Sequence, residues 1–311
     1  MKTIFNRVWI VFFLLIAVLF SLKFGASDLS PDEIFDLRLP RVVLAFGVGA
    51  ALSLSGAILQ ALFANPLCEP YTLGISSGSA LGAVMGATLG WGVNTYGFSS
   101  AAFLGGLIFA LILYFFSSRH LMSKTALLLA GVMLSFVGSS LVAVWMALAD
   151  PSGIQGALVW LLGDLSRARL DGSIVLLGIV IVILGRLVYT SRAYDALLLG
   201  DETALSVGVD LQKLRREAIL LSSILTGLSV SAAGMIGFIG LLIPHVVRRT
   251  SGSLHRFVFP VGALLGGATL VFSDLLARIV ARPYELPVGV VTSLIGAPVF
   301  LIFMLRSGAR K

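Results

Sequence analysis

The sequence predicts an all-α membrane protein with about ten transmembrane helices, and three observations support this fold class. Hydrophobic residues make up 58% of the 311 residues and charged residues only 12%, whereas ordinary soluble domains carry about 25% charged residues. The mean hydropathy is +1.03, which is more apolar than a water-soluble core of this size requires. The apolar residues also fall into long runs, close to the ~20 residues that a helix needs to cross a bilayer.

Ten apolar runs follow one another along the chain, separated by polar or by glycine- and proline-containing segments. They cover residues 8–24, 41–62, 71–90, 98–117, 125–148, 171–190, 215–233, 235–248, 257–280 and 287–305. The eighth run is short and contains Pro244, so we expect a partly broken helix there. The semi-apolar segment 149–170 predicts a short helix that lies at the membrane surface or dips into it.

The first run allows two interpretations, a cleaved signal peptide or a retained helix. Lys2 and Arg7 precede its apolar core, as they would in a signal peptide. Lys23 and Phe24, however, stand where a cleavage site needs small residues. We therefore expect a retained helix and a single transmembrane domain that covers residues 1–311.

The distribution of Lys and Arg predicts the orientation of the chain in the membrane. With the N-terminus in the cytoplasm, the inner ends and loops carry 15 of the 22 basic residues, in keeping with the positive-inside rule. Both termini and the polar segment 200–216 are then cytoplasmic. The basic residues stand at the ends of apolar runs and form no patch with aromatic neighbours, which argues against nucleic-acid binding.

Glycines recur every four residues in the third run and therefore share one face of that helix. They are Gly74, Gly78, Gly82, Gly86 and Gly90. Because small residues let membrane helices approach closely, we expect this face to pack against another helix. The same stretch matches G-x-S-x-G around Ser76, the pattern of a serine-hydrolase nucleophile. That pattern needs a preceding strand and a histidine partner, neither of which is evident, so an intramembrane serine hydrolase is the less favoured alternative.

The chain lacks the residues that would let it drive transport by itself. It has no G-x-x-x-x-G-K-[ST] pattern, so we expect no nucleotide-binding loop. Ion-coupled carriers place ionisable groups near the middle of the membrane, whereas Asp274 and Glu69 fall near the ends of runs. A single cysteine and three scattered histidines predict no metal site. We therefore expect no catalytic residue and no bound cofactor, and the energy for any transport would come from a partner.

The longest polar inner segment, 192–217, is the expected site of that partner. Asp201 and Glu202 suit the first turn of a short helix, where the helix dipole favours negative charge. Gly208 suits the C-cap of that helix, and a second helix is expected to start directly after it. Since residues 203–207 are apolar on one side, we favour a docking element over a solvated loop.

Motifs along nearly the whole chain resemble those of the FecCD-type permease family, and they occur in the same order. They include Leu39-Pro-Arg41, Asn65-Pro-Leu67 followed by Glu69-Pro70, Gly74-Ile-Ser-Ser-Gly78, Trp160-Leu-Leu-Gly163, Gly200-Asp-Glu-Thr-Ala204 with Gly208, and Glu285-Leu-Pro-Val-Gly289. The resemblance implies the permease fold of type II ABC importers. Inverted repeats are common in transporter folds, and Leu52-Ser-Leu-Ser-Gly56 and Leu228-Ser-Val-Ser-Ala232 are a weak echo of such a repeat.

The resemblance also implies partners, a substrate class and a location. The chain would form a homodimer in the bacterial inner membrane, surrounded by lipid. Two ABC ATPase subunits, which bind ATP and Mg, would dock inside, and a periplasmic or lipoprotein substrate-binding protein would dock outside. The substrate would be a large metal chelate; an iron(III)–siderophore or haem is favoured, and vitamin B12 is the alternative.

Individual roles follow from position in the resembling motifs. ATPase coupling is assigned to a pair of short helices that contain Gly200, Asp201, Glu202, Thr203, Ala204 and Gly208. Docking of the binding protein is assigned to Arg38, Arg41 and Arg278. A cytoplasmic gate is assigned to Asn65, Leu67 and Thr125. Asp164 stands where many relatives have a small neutral residue, and it is either a contact of the binding protein or substrate or a solvated loop acid.

Overall fold

The computed structural model describes residues 2–25, 33–89, 95–118, 123–148, 156 and 158–308. Within this part of the chain, ten long helices and one short helix account for most residues, residues 156 and 158–161 are also helical within the segment where a short helix was predicted, and no strand occurs. The helices are α1 (Lys2–Lys23), α2 (Leu39–Leu62), α3 (Ile75–Thr88), α4 (Thr95–Ser118), α5 (Lys124–Leu148), α6 (Leu170–Leu198), α7 (Asp201–Ser206), α8 (Leu211–Ala233), α9 (Ile239–Ser251), α10 (His255–Ile279) and α11 (Val288–Gly308). A π-helical turn, Ile34–Arg38, precedes α2, and a 3₁₀ turn, Pro70–Leu73, precedes α3.

Each of the ten predicted runs corresponds to one long helix. Six helices in the described ranges are long and apolar enough to cross a membrane by length and composition. They are α2 with its preceding turn, α4, α5, α6, α10 and α11. The all-α membrane fold expected from the sequence is therefore confirmed.

Helix α2 lies at the centre of the bundle, and α5 lies at its edge. In the most apolar 18-residue stretch of α2, 89% is buried inside the bundle. In the corresponding stretch of α5, only 17% is buried. Helices α6, α8, α9 and α10 all pack on α2. Small residues allow this crowding, because a β-carbon at Gly56 would lie 1.9 Å from the carbonyl oxygen of Gly240, and one at Gly49 would lie 2.3 Å from that of Gly266.

The glycine face of α3 packs against α4. A β-carbon at Gly78 would lie 2.7 Å from the carbonyl oxygen of Gly105, and one at Gly82 would lie 2.1 Å from that of Ala101. Gly86 is buried in the same helix. Gly74 precedes α3 with a φ of 78° and lies against α5. Gly90 lies outside the described residues.

Most of the polar segment 192–217 is helical. Helix α6 continues to Leu198, and α8 already begins at Leu211, so only residues 199–210 lie between the two long helices. The additional turns of α6 form because Tyr194 and Leu197 are fully buried against the bundle. Burial of one helical face thus outweighs the polar residues of this stretch.

The break in the eighth run lies before the helix rather than at Pro244. Residues 234–237 are not helical, and α9 starts at Ile239 and passes through Pro244 without interruption. A proline lacks the N–H that would bond the carbonyl four residues earlier. Here the side-chain amide of Gln60 donates to that carbonyl, of Gly240, at 3.3 Å and to the carbonyl of Leu241 at 3.2 Å. The helix therefore tolerates the proline.

Ion pairs identify the two ends of the bundle. At the end that carries α7, Asp201 pairs with Lys124 at the start of α5, and Asp195 near the end of α6 pairs with His255 at the start of α10. At the opposite end, Arg41 near the start of α2 pairs with Glu285 before α11. We refer to these as the α7 end and the arginine end.

Candidate functional site

The short helix α7 is held between two glycines that adopt a left-handed or related backbone conformation. Gly200 precedes α7 with a φ of 108°, and Gly208 follows it with a φ of 82°. The N–H of Gly208 donates to the carbonyl of Leu205, and the N–H of Val209 donates to that of Ala204, both at 3.0 Å. This pair of bonds is a Schellman motif, which requires a positive φ at the position of Gly208.

Exposed apolar side chains lie in α7 and directly beside it, and the described part of the chain does not cover them. Within α7 only Ala204 is buried. Leu205 is 58% exposed, Val207 65% and Leu199 73%. These three side chains form a small exposed apolar patch at the α7 end.

The second short helix that was predicted after Gly208 is not a separate element. Asp210 caps the N-terminus of α8, accepting a hydrogen bond at 3.0 Å from the backbone N–H of Lys213. From Leu211 the helix runs unbroken to Ala233. The prediction of a helix start at this point was right, but that start belongs to a long helix because the residues after it keep a buried apolar face.

Asp201 joins three helices at the α7 end. Its carboxylate lies 2.7 Å from Nζ of Lys124, the first residue of α5, and 2.6 Å from Nη2 of Arg215 in α8. Thr125, the predicted gate residue, follows Lys124 and is exposed. The structure thus brings the start of α5 next to α7.

The loop between α2 and the 3₁₀ turn is fixed by polar contacts of its own residues. The side chain of Asn65 accepts a hydrogen bond at 2.9 Å from the N–H of Leu67, which forms an Asx turn. Leu67 is consequently exposed at the tip of the loop. Asn65 and Leu67 were both assigned to a gate. In the structure Asn65 positions the backbone of Leu67, and the side chain of Leu67 is exposed. Burial raises the pKa of the Cys68 thiol in this loop to about 11.

Two side chains from the segment that precedes α3 hold the non-helical residues 234–238 in front of α9. The N–H of Phe238 donates to Oε1 of Glu69 at 2.7 Å. The hydroxyl of Tyr71 donates to the carbonyl of Ile236 at 2.8 Å and accepts from its N–H at 2.5 Å. These contacts satisfy backbone groups that no helix satisfies. Burial raises the pKa of Glu69, and the hydrogen bond from Phe238 partly opposes this.

The three arginines assigned to docking have partners within the chain. Arg41 binds Asp274 at 2.8 Å and Glu285 at 2.8 Å. Arg278 also binds Asp274, at 3.0 Å, and it donates to Ser21 near the end of α1. Asp274 therefore lies between two guanidinium groups.

Arg38 and Arg278 are buried against the C-terminus of α1. They are 5% and 3% exposed. Arg38 donates to the carbonyls of Leu22 and Lys23, each at 2.8 Å. Cations are favourable at a helix C-terminus because of the carbonyl groups left open there. In this structure the two arginines cap α1, and their assignment to docking stays a prediction.

Asp164 shapes a turn at the arginine end. Its carboxylate accepts a hydrogen bond at 2.7 Å from the N–H of Ser166 and lies 3.6 Å from the guanidinium of Arg167. The carbonyls of Leu162 and Gly163 accept from the N–H groups of Gly289 and Val288, each at 3.1 Å. The segment 158–165 is thus attached to the start of α11.

The chain as a whole has counterparts among known proteins. A profile of the FecCD transport family matches residues 5–306. The chain belongs to this family.

Relatives of this FecCD chain include two named importer permeases. The cobalamin import system permease protein BtuC of Halobacterium salinarum is 42% identical over 296 residues, which cover 94% of this chain and 78% of that protein. The vitamin B12 import system permease protein BtuC of Escherichia coli is 37% identical over 305 residues, 95% of this chain and 93% of that protein. The family resemblance derived from the motifs is therefore confirmed.

A solved structure with the same fold is a metal-chelate type ABC transporter in an inward-facing conformation. Its TM-score to this FecCD chain is 0.87 at 31% identity, and the match covers 96% of this chain and 98% of that chain. This agreement confirms the permease fold class of ABC importers.

The described residues offer little support for a hydrolase in this FecCD chain. Ser76 is buried in the first turn of α3, which packs mainly on α4, α5 and α8. The two histidines in the described ranges lie instead on α9 and α10. Across the same ranges, no group of three or more His, Cys, Asp or Glu side chains could hold a metal ion.

Sequence reasoning missed the roles of Gln60, Glu69, Tyr71 and Asp274. Tyr71 and Glu69 bind residues that are 165 or more positions away in the sequence. Gln60 binds a residue 180 positions away. The available signal was the type of residue, because a polar side chain inside or beside an apolar run needs a hydrogen-bonding partner. That signal identifies the residue but not the partner.

Proposed function

We propose that this chain is the transmembrane permease subunit of an ABC importer for a large metal chelate. The observation that carries the proposal is the match of fold and sequence to a metal-chelate type ABC transporter over 96% of the chain. The chain acts as one transmembrane domain over residues 1–311. It lies in the cytoplasmic membrane with both termini and the α7 end inside.

The α7 end is the docking site of the ATPase subunits. The exposed Leu199, Leu205 and Val207 offer an apolar contact, and the exposed Glu202 adds a polar group beside it. ATP hydrolysis in the partner supplies the energy, since the chain has no nucleotide-binding loop of its own. Gly200 and Gly208 fix the angle at which α7 stands on the bundle.

The arginine end is the docking site of a substrate-binding protein. Arg41 is the member of the predicted set whose partner, Glu285, has a solvent-accessible side chain. A carboxylate of the binding protein can therefore compete with Glu285 for Arg41, and such rim charges contribute chiefly to encounter rate and register. Arg38 and Arg278 contribute by holding α1 in place beneath this surface.

A second copy of the chain completes the transporter, with a translocation pathway between the two copies. Helices α5 and α11 support this arrangement, because their apolar side chains are largely uncovered in the single chain. Leu67 and Thr125 form the cytoplasmic gate of that pathway. Both side chains are exposed in the described structure.

Two classes of metal chelate are candidates for the substrate. An iron(III)–siderophore or haem follows from the breadth of the family resemblance. Cobalamin is supported by the names of the relatives in Halobacterium salinarum and Escherichia coli. Both classes are large, rigid and metal-centred, so the same kind of wide pathway would serve either.

Uptake measurements in cells test the proposal. The gene is deleted in the organism that encodes it, and uptake of radiolabelled cobalamin, haem and several ferric siderophores is measured. We expect the loss of uptake of one chelate class, restored by the wild-type gene on a plasmid. Unchanged uptake of every chelate in the deletion strain would overturn the proposed function.

A further inference from the structure

We propose that Asp201 is a positioning residue that links α7 to the start of α5, so that a movement of α7 is passed to that helix. The inference deepens the proposed function and rests on it, because it assigns a task to one residue of the ATPase-docking turn. It also divides the turn into an outer surface that faces the ATPase and an inner carboxylate that faces the bundle.

Both oxygens of the Asp201 carboxylate are used by the chain itself. Oδ1 lies 2.7 Å from Nζ of Lys124, and Oδ2 lies 2.6 Å from Nη2 of Arg215. The side chains of Lys124 and Arg215 are 19% and 21% exposed. The Asp201 side chain is 36% exposed, but both of its carboxylate oxygens lie against cations of the bundle.

The ion pair with Lys124 connects α7 to α5. Helix α5 packs chiefly on α3, α4 and the turn Pro70–Leu73, whereas α7 packs chiefly on α6 and α8. The two helices therefore belong to different neighbourhoods within the described structure. In the described part of the chain, the long side chain of Lys124 reaches from α5 to α7.

The position of Lys124 gives the link a consequence for transport. Lys124 is the first residue of α5 and is followed by Thr125, which we place in the cytoplasmic gate. A displacement of α7 by the ATPase would pull or release the start of α5 through the carboxylate. Exposed or partly exposed ion pairs are individually weak, so the link can break and re-form within each transport cycle.

The inference is tested with Asp201→Asn, which keeps the size of the side chain but removes its charge. The control is Glu217→Gln, because Glu217 forms an equally short pair with Arg186, 2.7 Å, that joins α6 to α8 without involving α7. In proteoliposomes that contain the complete transporter, we expect Asp201→Asn to lower the uptake per ATP hydrolysed at least about fivefold. The control should retain the wild-type ratio, and the double variant Lys124→Met/Asp201→Asn should be no worse than Asp201→Asn.

A second measurement uses the chain alone and so separates this inference from the proposed function. Hydrogen–deuterium exchange of the purified chain in nanodiscs reports the opening of each helix end. Asp201→Asn should speed exchange several-fold in the first two turns of α5, and Glu217→Gln should not. Unchanged exchange at the start of α5 in Asp201→Asn would overturn the link, whether or not the chain transports a chelate. The proposed link would also be overturned if Glu217→Gln lowered the uptake per ATP hydrolysed as much as Asp201→Asn does.

Discussion

The side chain of Asp274 is buried between two guanidinium groups at the arginine end. Arg41 and Arg278 both contact its carboxylate, and their other contacts reach Glu285 and Ser21. The cluster thereby ties together α10, α2, the segment before α11 and the end of α1. Removing one member of a buried charge cluster leaves the others without compensation.

Replacing Asp274 by Asn should therefore destabilise the chain strongly. Asn keeps the volume of the side chain but leaves the buried Arg278 without its counter-charge and Arg41 with Glu285 alone, at an expected cost of about 3 kcal/mol or more. Thermal unfolding of the purified protein in detergent measures the effect. The matched control is Asp171→Asn, because Asp171 and its partner Arg169 are mostly exposed, and an exposed pair contributes less than about 1 kcal/mol. Equal melting temperatures for the two variants would contradict the assigned role of Asp274.

The sequence placed Arg41, Arg278 and Asp274 at one end of the bundle but did not pair them. Charge position along an apolar run is a local property, so the end of the membrane at which each residue lies can be predicted. The partner of Arg41 is 233 residues away in sequence, and such pairing depends on how the helices are arranged. The docking role was consequently assigned to residues that the structure shows to be engaged within the chain.

Among the helices and turns, the short helix α7 was predicted correctly because its signals are local. Acidic residues at its start and a glycine at its end are both within a few residues of the helix that they delimit. The break before α9 was placed at Pro244, which is the strongest local signal in that run. The break lies instead before α9, where Glu69 and Tyr71 from a distant segment form hydrogen bonds with the backbone of the non-helical residues. The helix continues through Pro244 because Gln60 binds the carbonyl that the proline leaves without a donor.

Substituting Gly208 by Val should uncouple ATP hydrolysis from uptake while leaving the chain inserted in the membrane. A β-branched residue is strained at a φ of 82° by about 1–3 kcal/mol, so the Schellman motif and the orientation of α7 are lost. No atom lies within 4 Å of the position of an added β-carbon, so the bundle itself is not disturbed. Uptake per ATP hydrolysed in proteoliposomes, together with the amount of chain in the membrane fraction, checks the prediction.

The matched control for this prediction is Gly185→Val. Gly185 also has open space around its β-carbon position, but it lies within α6 and has no positive φ. Valine is tolerated in such a position at a small cost in helix propensity. Normal coupling in Gly208→Val, or a comparable loss in Gly185→Val, would show that the left-handed turn is not what transmits the movement of the ATPase.

At the scale of the whole molecule, the sequence predicted the helix order but could not predict which helix is central. Helix α2 and helix α5 have nearly the same mean hydropathy, 2.2 and 2.3, yet one is 89% and the other 17% buried. In a membrane, lipid is as apolar as a protein core, so hydropathy does not separate the two environments. Small residues do not separate the two helices either, because Gly, Ala and Ser recur along both of them.

The orientation of this bundle can be tested through its single cysteine. Cys68 is 2% exposed, and since its pKa is raised to about 11, almost no reactive thiolate exists near neutral pH. The native chain should therefore react hardly at all with a membrane-impermeant maleimide at neutral pH, and its labelling should rise only as the pH approaches that pKa. Labelling of a cysteine introduced elsewhere in the chain can therefore be measured with little background from Cys68.

Two such variants place a reactive thiol at opposite ends of the molecule, Val207→Cys beside α7 and Tyr284→Cys at the arginine end. The native side chains are 65% and 78% exposed, so both thiols should be accessible and have an ordinary pKa. In intact cells that express the chain without its ATPase, we expect labelling of Tyr284→Cys only. Inside-out vesicles should give the reverse pattern, because the basic residues concentrate at the α7 end and hold it in the cytoplasm. Labelling of Val207→Cys in intact cells would reverse the orientation and would place the proposed ATPase site on the wrong side of the membrane.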